Sequence, residues 1–160
     1  MTLRWAVVAT GGMARAMVED FHLIPDAELK VIVSRTQTRA DEAAREWNIP
    51  EGSSDYASVL KRTDIDAVYI ATPHVFHFEQ SKRALEAGKH VLVEKPITMN
   101  AAEARELQEV AERSGKFLME AMWMVFSPAI IEALRIAQSG DLGKVTFAEA
   151  NFGVAFDFDQ

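Results

Sequence analysis

The sequence predicts an α/β fold built on a doubly wound, parallel sheet. Three observations predict it. Short β-like runs alternate with longer stretches of helical periodicity along most of the chain. Those runs are almost wholly apolar instead of alternating, as strands covered by helices on both faces must be. The segments between them are long enough for the roughly dozen-residue crossover that joins parallel strands.

The elements follow in order. "RWAVVA" (Arg4–Ala9) reads as the first strand, followed by a helix from about Met13 to Phe21. The turn "IPDAE" leads to a second strand, Leu29–Ser34. In the next helix, "TRADEAAREW", Ala40, Ala43, Ala44 and Trp47 share one buried face at helical spacing, and the charged remainder is a solvated face. A loop containing Pro50 and Gly52 precedes a short helix near Tyr56–Lys61. "DAVYIA" (Asp66–Ala71) is a further strand, and the helix Phe78–Ala87 stops at Gly88, a residue suited to the left-handed position past a helix end. "HVLVE" (His90–Glu94) is the next strand. Asn100 with Glu103 reads as a capping box for a helix to about Arg113, which Gly115 ends before a strand at Lys116–Met122. Trp5, Trp47, Met13, Met17, Leu107, Val110 and Ala111 fall at core-facing positions.

After Pro128 the character changes. A helix, about Ala129–Ser139, is followed by the turn "GDLG" and by Lys144–Phe152, whose polar–apolar alternation suits an antiparallel strand with one wet face. A lone strand cannot close a second core. The expected organisation is therefore a dinucleotide-type domain over residues 1–125 and, over 126–160, a linker helix and the first strand of a truncated C-terminal α/β domain.

Composition excludes several functions. The chain has 160 residues with a net charge of −7, which disfavours a general nucleic-acid binder. No apolar run approaches the roughly 20 residues of a membrane helix. The N-terminus enters a strand almost at once, which leaves no room for a signal peptide. The absence of cysteine removes disulfides, zinc–thiolate sites and thiol nucleophiles, and agrees with a reducing, cytoplasmic setting.

"VVATGGMARAM" (Val7–Met17) sits between the first strand and the first helix, where a dinucleotide fold needs small residues so that backbone can approach a pyrophosphate. Against G-x-G-x-x-G/A the match is Ala9-x-Gly11-x-x-Ala14, with Gly12 adding freedom; Thr10, Gly11, Gly12, Met13 and Ala14 are the candidate phosphate contacts. NAD-binding folds usually carry an acid at the end of the second strand, for the ribose 2′-OH. Here stand Ser34, Arg35 and Thr36, with Arg39 one helical turn further on. A hydroxyl and two guanidinium groups suit a 2′-phosphate, so NADP is preferred and NAD is the alternative. The missing acid also weakens a methyltransferase reading.

Thr72 and Pro73 end the strand that begins at Asp66, with His74 and His77 behind them. The histidine spacing could suggest a metal pair, but no third ligand is evident, so no metal is expected. A histidine that orients the loop or a cofactor group is preferred. The following strand runs into Glu94-Lys95-Pro96 beside the same crevice. An ammonium there stabilises negative charge developing on oxygen, and partial burial or neighbouring cations tune it for proton transfer. Proline stiffens the turn and accepts a cis bond at modest cost.

The segments "ATGGMA" (Ala9–Ala14), "DIDAVYIATPHVFH" (Asp64–His77), "AGKHVLVEKPITMN" (Ala87–Asn100) and "GKVTFAEANFG" (Gly143–Gly153) together resemble the Gfo/Idh/MocA oxidoreductases. "MEAMWMVFSPA" (Met119–Ala129) is most similar to the branch containing dihydrodiol dehydrogenase, NADP-dependent xylose dehydrogenase and anhydrofructose reductase. The resemblance implies an N-terminal Rossmann domain for NADP(H), a C-terminal substrate domain, and hydride transfer at a hydroxyl or carbonyl carbon of a sugar, polyol or dihydrodiol. It implies Lys95 as the catalytic acid/base, Thr72, Pro73 and His77 bordering the nicotinamide half, Glu94, Lys95 and Pro96 contacting cofactor, and Trp123 and Phe152 lining the substrate pocket. Ala9 departs from the family's first glycine, and Val125 stands where branch members often carry arginine. By the same resemblance the sequence stops before the region that supplies the remaining catalytic residues, and the whole protein is a homo-oligomer through its C-terminal sheet. The competing expectation is a non-catalytic dinucleotide-binding or sensing module.

Overall fold

The computed structural model describes residues 2–151 and 153. They divide into two compact units between Met122 and Trp123, just before the expected boundary.

In the first unit a six-stranded sheet has the order β3-β2-β1-β4-β5-β6, from β1 (Leu3–Val8), β2 (Ala27–Val33), β3 (Glu51–Ser53), β4 (Ala67–Ile70), β5 (His90–Val93) and β6 (Leu118–Glu120). Every pair is parallel. The connecting helices are α1 (Gly12–Phe21), α2 (Gln37–Glu46), α3 (Tyr56–Leu60), α4 (His77–Glu86) and α5 (Ala101–Ser114), with a 3₁₀ turn at His74–Phe76. Chain order reverses between β1 and β4, the switch point at which open α/β sheets bind ligands.

Strand periodicity sorts the apolar residues into two cores, one on each face. Val7, Ile32 and Tyr69 point to Ala14, Val18 and Phe21 of α1 and to Ala43, Ala44 and the following Trp47 on one face. Ala6, Val8, Val31, Val33, Val68, Ile70, Val91 and Val93 point to Val59, Leu60, Ala84, Leu85, Leu107 and Val110 on the other. The expected buried face of α2 is therefore in place, as are Leu107, Val110 and Ala111. Trp5 and Met17 pack at the edge of the first core. Met13 does not join it: the side chain is 52% exposed, in the first turn of α1, whose buried face is Ala14, Val18 and Phe21.

Helix ends follow local chemistry. Thr36 caps α2 by accepting from the Arg39 backbone N–H, and Asp55 caps α3 through Ser58. Asn100 caps α5 on the Ala102 and Glu103 N–H groups, while Glu103 reaches back one residue further than a standard capping box, to the Met99 N–H. Gly88 and Gly115 take φ of +78° and +63° at helix ends.

Strand β3 is the element that the loop expectation over Pro50 and Gly52 overlooked. It is three residues long, pairs with β2, and brings Gly52 so close to α2 that a Cβ would lie 2.5 Å from the Ala40 carbonyl carbon and oxygen. In the second unit a 3₁₀ turn at Trp123–Phe126 precedes α6 (Pro128–Ser139). The expected strand at Lys144–Phe152 is not formed over its described residues 144–151, for which no pairing strand is present among the described residues. No described helix is long and apolar enough to cross a membrane.

Candidate functional site

The sheet register lines up one row across the strand ends: Ser53, Val33, Val8, Ile70, Val93 and Glu120. The turns that leave this row therefore start at one edge. They are the glycine turn after β1, Ser34–Thr36 after β2, Thr72–Pro73 after β4 and Glu94–Ile97 after β5. With strands spaced ~4.8 Å apart, the glycine turn and the Lys95 turn originate about 10 Å apart, with β4 between them.

The glycine turn is open. Gly11 is the N-cap of α1 with no side-chain cap, and a Cβ built on Gly11 or Gly12 would meet nothing within 4 Å. The first intrahelical bond of α1 runs from the Arg15 N–H to the Gly11 carbonyl, which leaves earlier amides at the helix start for an anion. Ala14 is buried against the sheet, as the third small residue of such a turn requires. Ala9, in the first-glycine position, has φ of +134°, so its backbone adopts a conformation that glycine enters freely and alanine does not.

At the end of β2, Ser34 Oγ lies 3.3 Å from Thr10 Oγ1, which joins the two turns. The Arg39 guanidinium donates to the Thr10 carbonyl at 3.4 Å and lies 3.6 Å from Glu42. Arg35 is exposed and, among the described residues, has no ion-pair partner. A cradle without side chains, an uncapped helix start and two arginines at the β2 end fit a dinucleotide that carries a 2′-phosphate.

Lys95 is exposed rather than partly buried, and its peptide bond to Pro96 is cis. Its turn is held from several sides. The Lys95 N–H donates to Glu94 Oε2 at 3.3 Å, and Glu94 Oε1 accepts from the Tyr69 hydroxyl at 2.8 Å. Burial, then the hydrogen bond to Glu94, push the Tyr69 phenol far above its usual range, so Tyr69 serves as a donor. The Ile97 N–H donates to Glu120 Oε1 at 2.8 Å. His77 is fully buried, with Nδ1 2.8 Å from the Pro96 carbonyl and Nε2 2.8 Å from the Thr72 carbonyl. Either tautomer donates to at least one of them. Of the two roles foreseen for it, the loop-orienting one matches this geometry. Direct contact with a cofactor does not, because neither nitrogen is exposed.

Thr72 is further fixed by a 2.6 Å bond from its hydroxyl to Gln80. Glu94 is 7% exposed, so its carboxylate supports the turn more than it faces a ligand. Trp123 is exposed and lies in the second unit, and Phe152 lies outside the described residues. Sequence reasoning missed Tyr69, Gln80 and Glu120; the signal for Glu120 was an acid at the end of an otherwise apolar strand, "FLME". Among the described residues no group of His, Asp and Glu could hold a metal ion.

Residues 3–122 match the GFO_IDH_MocA family, described as an oxidoreductase family with an NAD-binding Rossmann fold. The chain belongs to that family. Among its Gfo/Idh/MocA relatives, trans-1,2-dihydrobenzene-1,2-diol dehydrogenase of Mus musculus is 40% identical over 156 residues, covering 96% of this chain and 46% of the mouse protein. D-xylose 1-dehydrogenase (NADP(+)) of Hypocrea jecorina is 32% identical over 171 residues, covering 99% of this chain and 44% of the relative. A 3-ketoreductase of Actinomadura kijaniata, solved in complex with NADP, superposes with a TM-score of 0.82 at 33% identity, covering 89% of this chain and 46% of that one. The chain thus spans less than half the length of the relatives it matches.

Proposed function

We propose that the protein carrying this chain is an NADP-dependent oxidoreductase acting at a hydroxyl or carbonyl carbon of a sugar, polyol or dihydrodiol. The observation that carries this reading is the shared strand-end edge, from which both the open glycine turn and the Lys95 turn arise. The nicotinamide, when bound, supplies or accepts the hydride. The amides of Gly11, Gly12 and Met13 bind the pyrophosphate at the start of α1. Ser34, Arg35 and Arg39 take the 2′-phosphate, a preference that agrees with the NADP in the names of two relatives. Thr72 and Pro73 bound the nicotinamide side. The Lys95 ammonium gives a proton to the substrate oxygen in reduction and receives it in oxidation, and it stabilises negative charge developing there.

The second unit belongs to a substrate domain, with Trp123 lining its pocket. The whole protein is a cytoplasmic homo-oligomer that binds neither nucleic acid nor membrane. Residues 3–122 hold the cofactor turns by themselves, so this chain alone behaves as a dinucleotide-binding module.

Calorimetric titration tests the cofactor assignment. Arg35→Ala should weaken NADPH about tenfold or more, the worth of one charge-assisted hydrogen bond, and leave NADH nearly unchanged. An unchanged NADPH-to-NADH ratio refutes the 2′-phosphate site. In the whole protein, Lys95→Ala should lower kcat by roughly 10²–10⁴-fold with cofactor affinity retained. Equal loss of both would make Lys95 a cofactor ligand only.

A further inference from the structure

Lys95 is exposed, and no side chain among the described residues forms an ion pair with it. What the structure fixes is the backbone of its turn, from which the side chain springs. Successive residues of that turn are each tied to a side chain: Lys95 N–H to Glu94, the Pro96 carbonyl to His77 of α4, and Ile97 N–H to Glu120 at the end of β6. These anchors have different origins. Glu94 belongs to the turn itself. His77 sits between the turn after β5 and the turn after β4, its two nitrogens facing the Pro96 and Thr72 carbonyls, and the tautomer decides which of them it donates to. Glu120 comes from the neighbouring strand, whose register puts it opposite Val93.

We propose that Glu120, together with His77, is a positioning residue that fixes the Lys95 turn against β4 and β6. This deepens the proposed function and rests on it for Lys95 as the proton-handling group. Both anchors grip polar backbone groups next to the lysine, and a carboxylate acceptor makes a stronger, shorter bond to an N–H than a neutral one. A displacement of about 1 Å at a reacting group can cost on the order of 10²-fold in rate. The exposed lysine has little other packing to resist such a displacement. Glu120 Oε1 holds the Ile97 N–H and no other donor among the described residues, so its removal reaches the turn with few other losses.

The test uses the whole protein, with Glu120→Ala, Glu120→Asp and Glu120→Gln made in both the wild-type and Lys95→Ala backgrounds. Glutamine keeps an oxygen acceptor at the same reach; aspartate keeps the charge but falls short of the Ile97 N–H. Glu120→Ala and Glu120→Asp should lower kcat by about 10- to 100-fold, while the NADPH dissociation constant stays within about twofold. Glu120→Gln should recover most of the loss. In the Lys95→Ala background the same substitutions should have little further effect on kcat, since there is no lysine left to misplace. If Glu120→Ala fails to fold, the aspartate and glutamine variants carry the comparison.

Wild-type kcat in Glu120→Asp, equal impairment of the glutamine and aspartate variants, or additive losses on top of Lys95→Ala would each overturn the proposal. If instead Lys95→Ala by itself left turnover intact, the reading of Lys95 would fail, a result separable from failure of the Glu120 assignment.

Discussion

Ala9 holds a φ of +134° at the position where dinucleotide folds usually place their first glycine. Backbone held there by a residue with a Cβ costs on the order of 1–3 kcal/mol. A glycine would relieve most of this, less the 0.4–1 kcal/mol or so that its freer unfolded chain costs. Ala9→Gly should therefore stabilise the chain by roughly 1 kcal/mol in chemical denaturation, and a destabilised variant would mean that the turn is not strained. Gly52 has the opposite sensitivity. Its missing Cβ would lie 2.5 Å from backbone atoms of Ala40, which cannot rotate away. Gly52→Ala should cost about 1–3 kcal/mol by overpacking, and a neutral result would show that β3 and α2 part easily. The place of the glycine turn at the start of α1 and of Lys95 just past β5 was legible from sequence, because the apolar strand runs and the small residues after them act locally. The closeness of Gly52 to α2 was not legible: a glycine beside Pro50 has the same local signature in a loop. Met13 was misplaced in the core because the buried face of α1 is set by Ala14, Val18 and Phe21, one position round the helix from it.

At the level of elements, the apolar strands and capped helices could be read to within one or two residues at each end, since periodicity and end residues act locally; the expected Lys116–Met122 strand is the widest miss, shortened to Leu118–Glu120. The three-residue β3 could not, because its pairing with β2 is a long-range choice. The Lys144–Phe152 run has alternation but, over its described residues, no pairing strand, and alternation alone makes no sheet. The far ends of the strands carry their own chemistry. Arg4 on β1 grips Asp66 just before β4, with guanidinium–carboxylate contacts of 2.7 and 2.8 Å. Those hydrogen bonds hold the Asp66 carboxyl down to about 2, below its ordinary 3.8, and Arg62 does the same for Asp64. For a depressed carboxyl, the stabilisation is present above the unfolded value and is lost as pH falls through the folded one. The unfolding midpoint should thus drop as pH goes from about 4 to 2. Asp66→Asn should flatten that dependence, and an equally steep profile in the variant would rule out the Arg4 pair as its source.

For the whole molecule, strand order and function are one subject. The order β3-β2-β1-β4-β5-β6 puts the reversal between β1 and β4, and the loops that border it supply the glycine turn and the Thr72 turn, with the Lys95 turn beside them. That arrangement followed from the alternation of strands and helices in the sequence. The clamp of Tyr69, His77, Glu94 and Glu120 did not, because it joins side chains from three strand ends and a helix. In the proposed function the glycine turn and the Lys95 turn meet the same ligand. This is tested most directly by titrating the isotopically labelled chain with NADPH and following backbone amide signals. The signals of Gly11, Gly12 and Lys95 should shift together with one dissociation constant, while Lys89, at the opposite end of β5, stays in place. A shift at Gly11 and Gly12 with Lys95 unmoved through saturation would contradict the account.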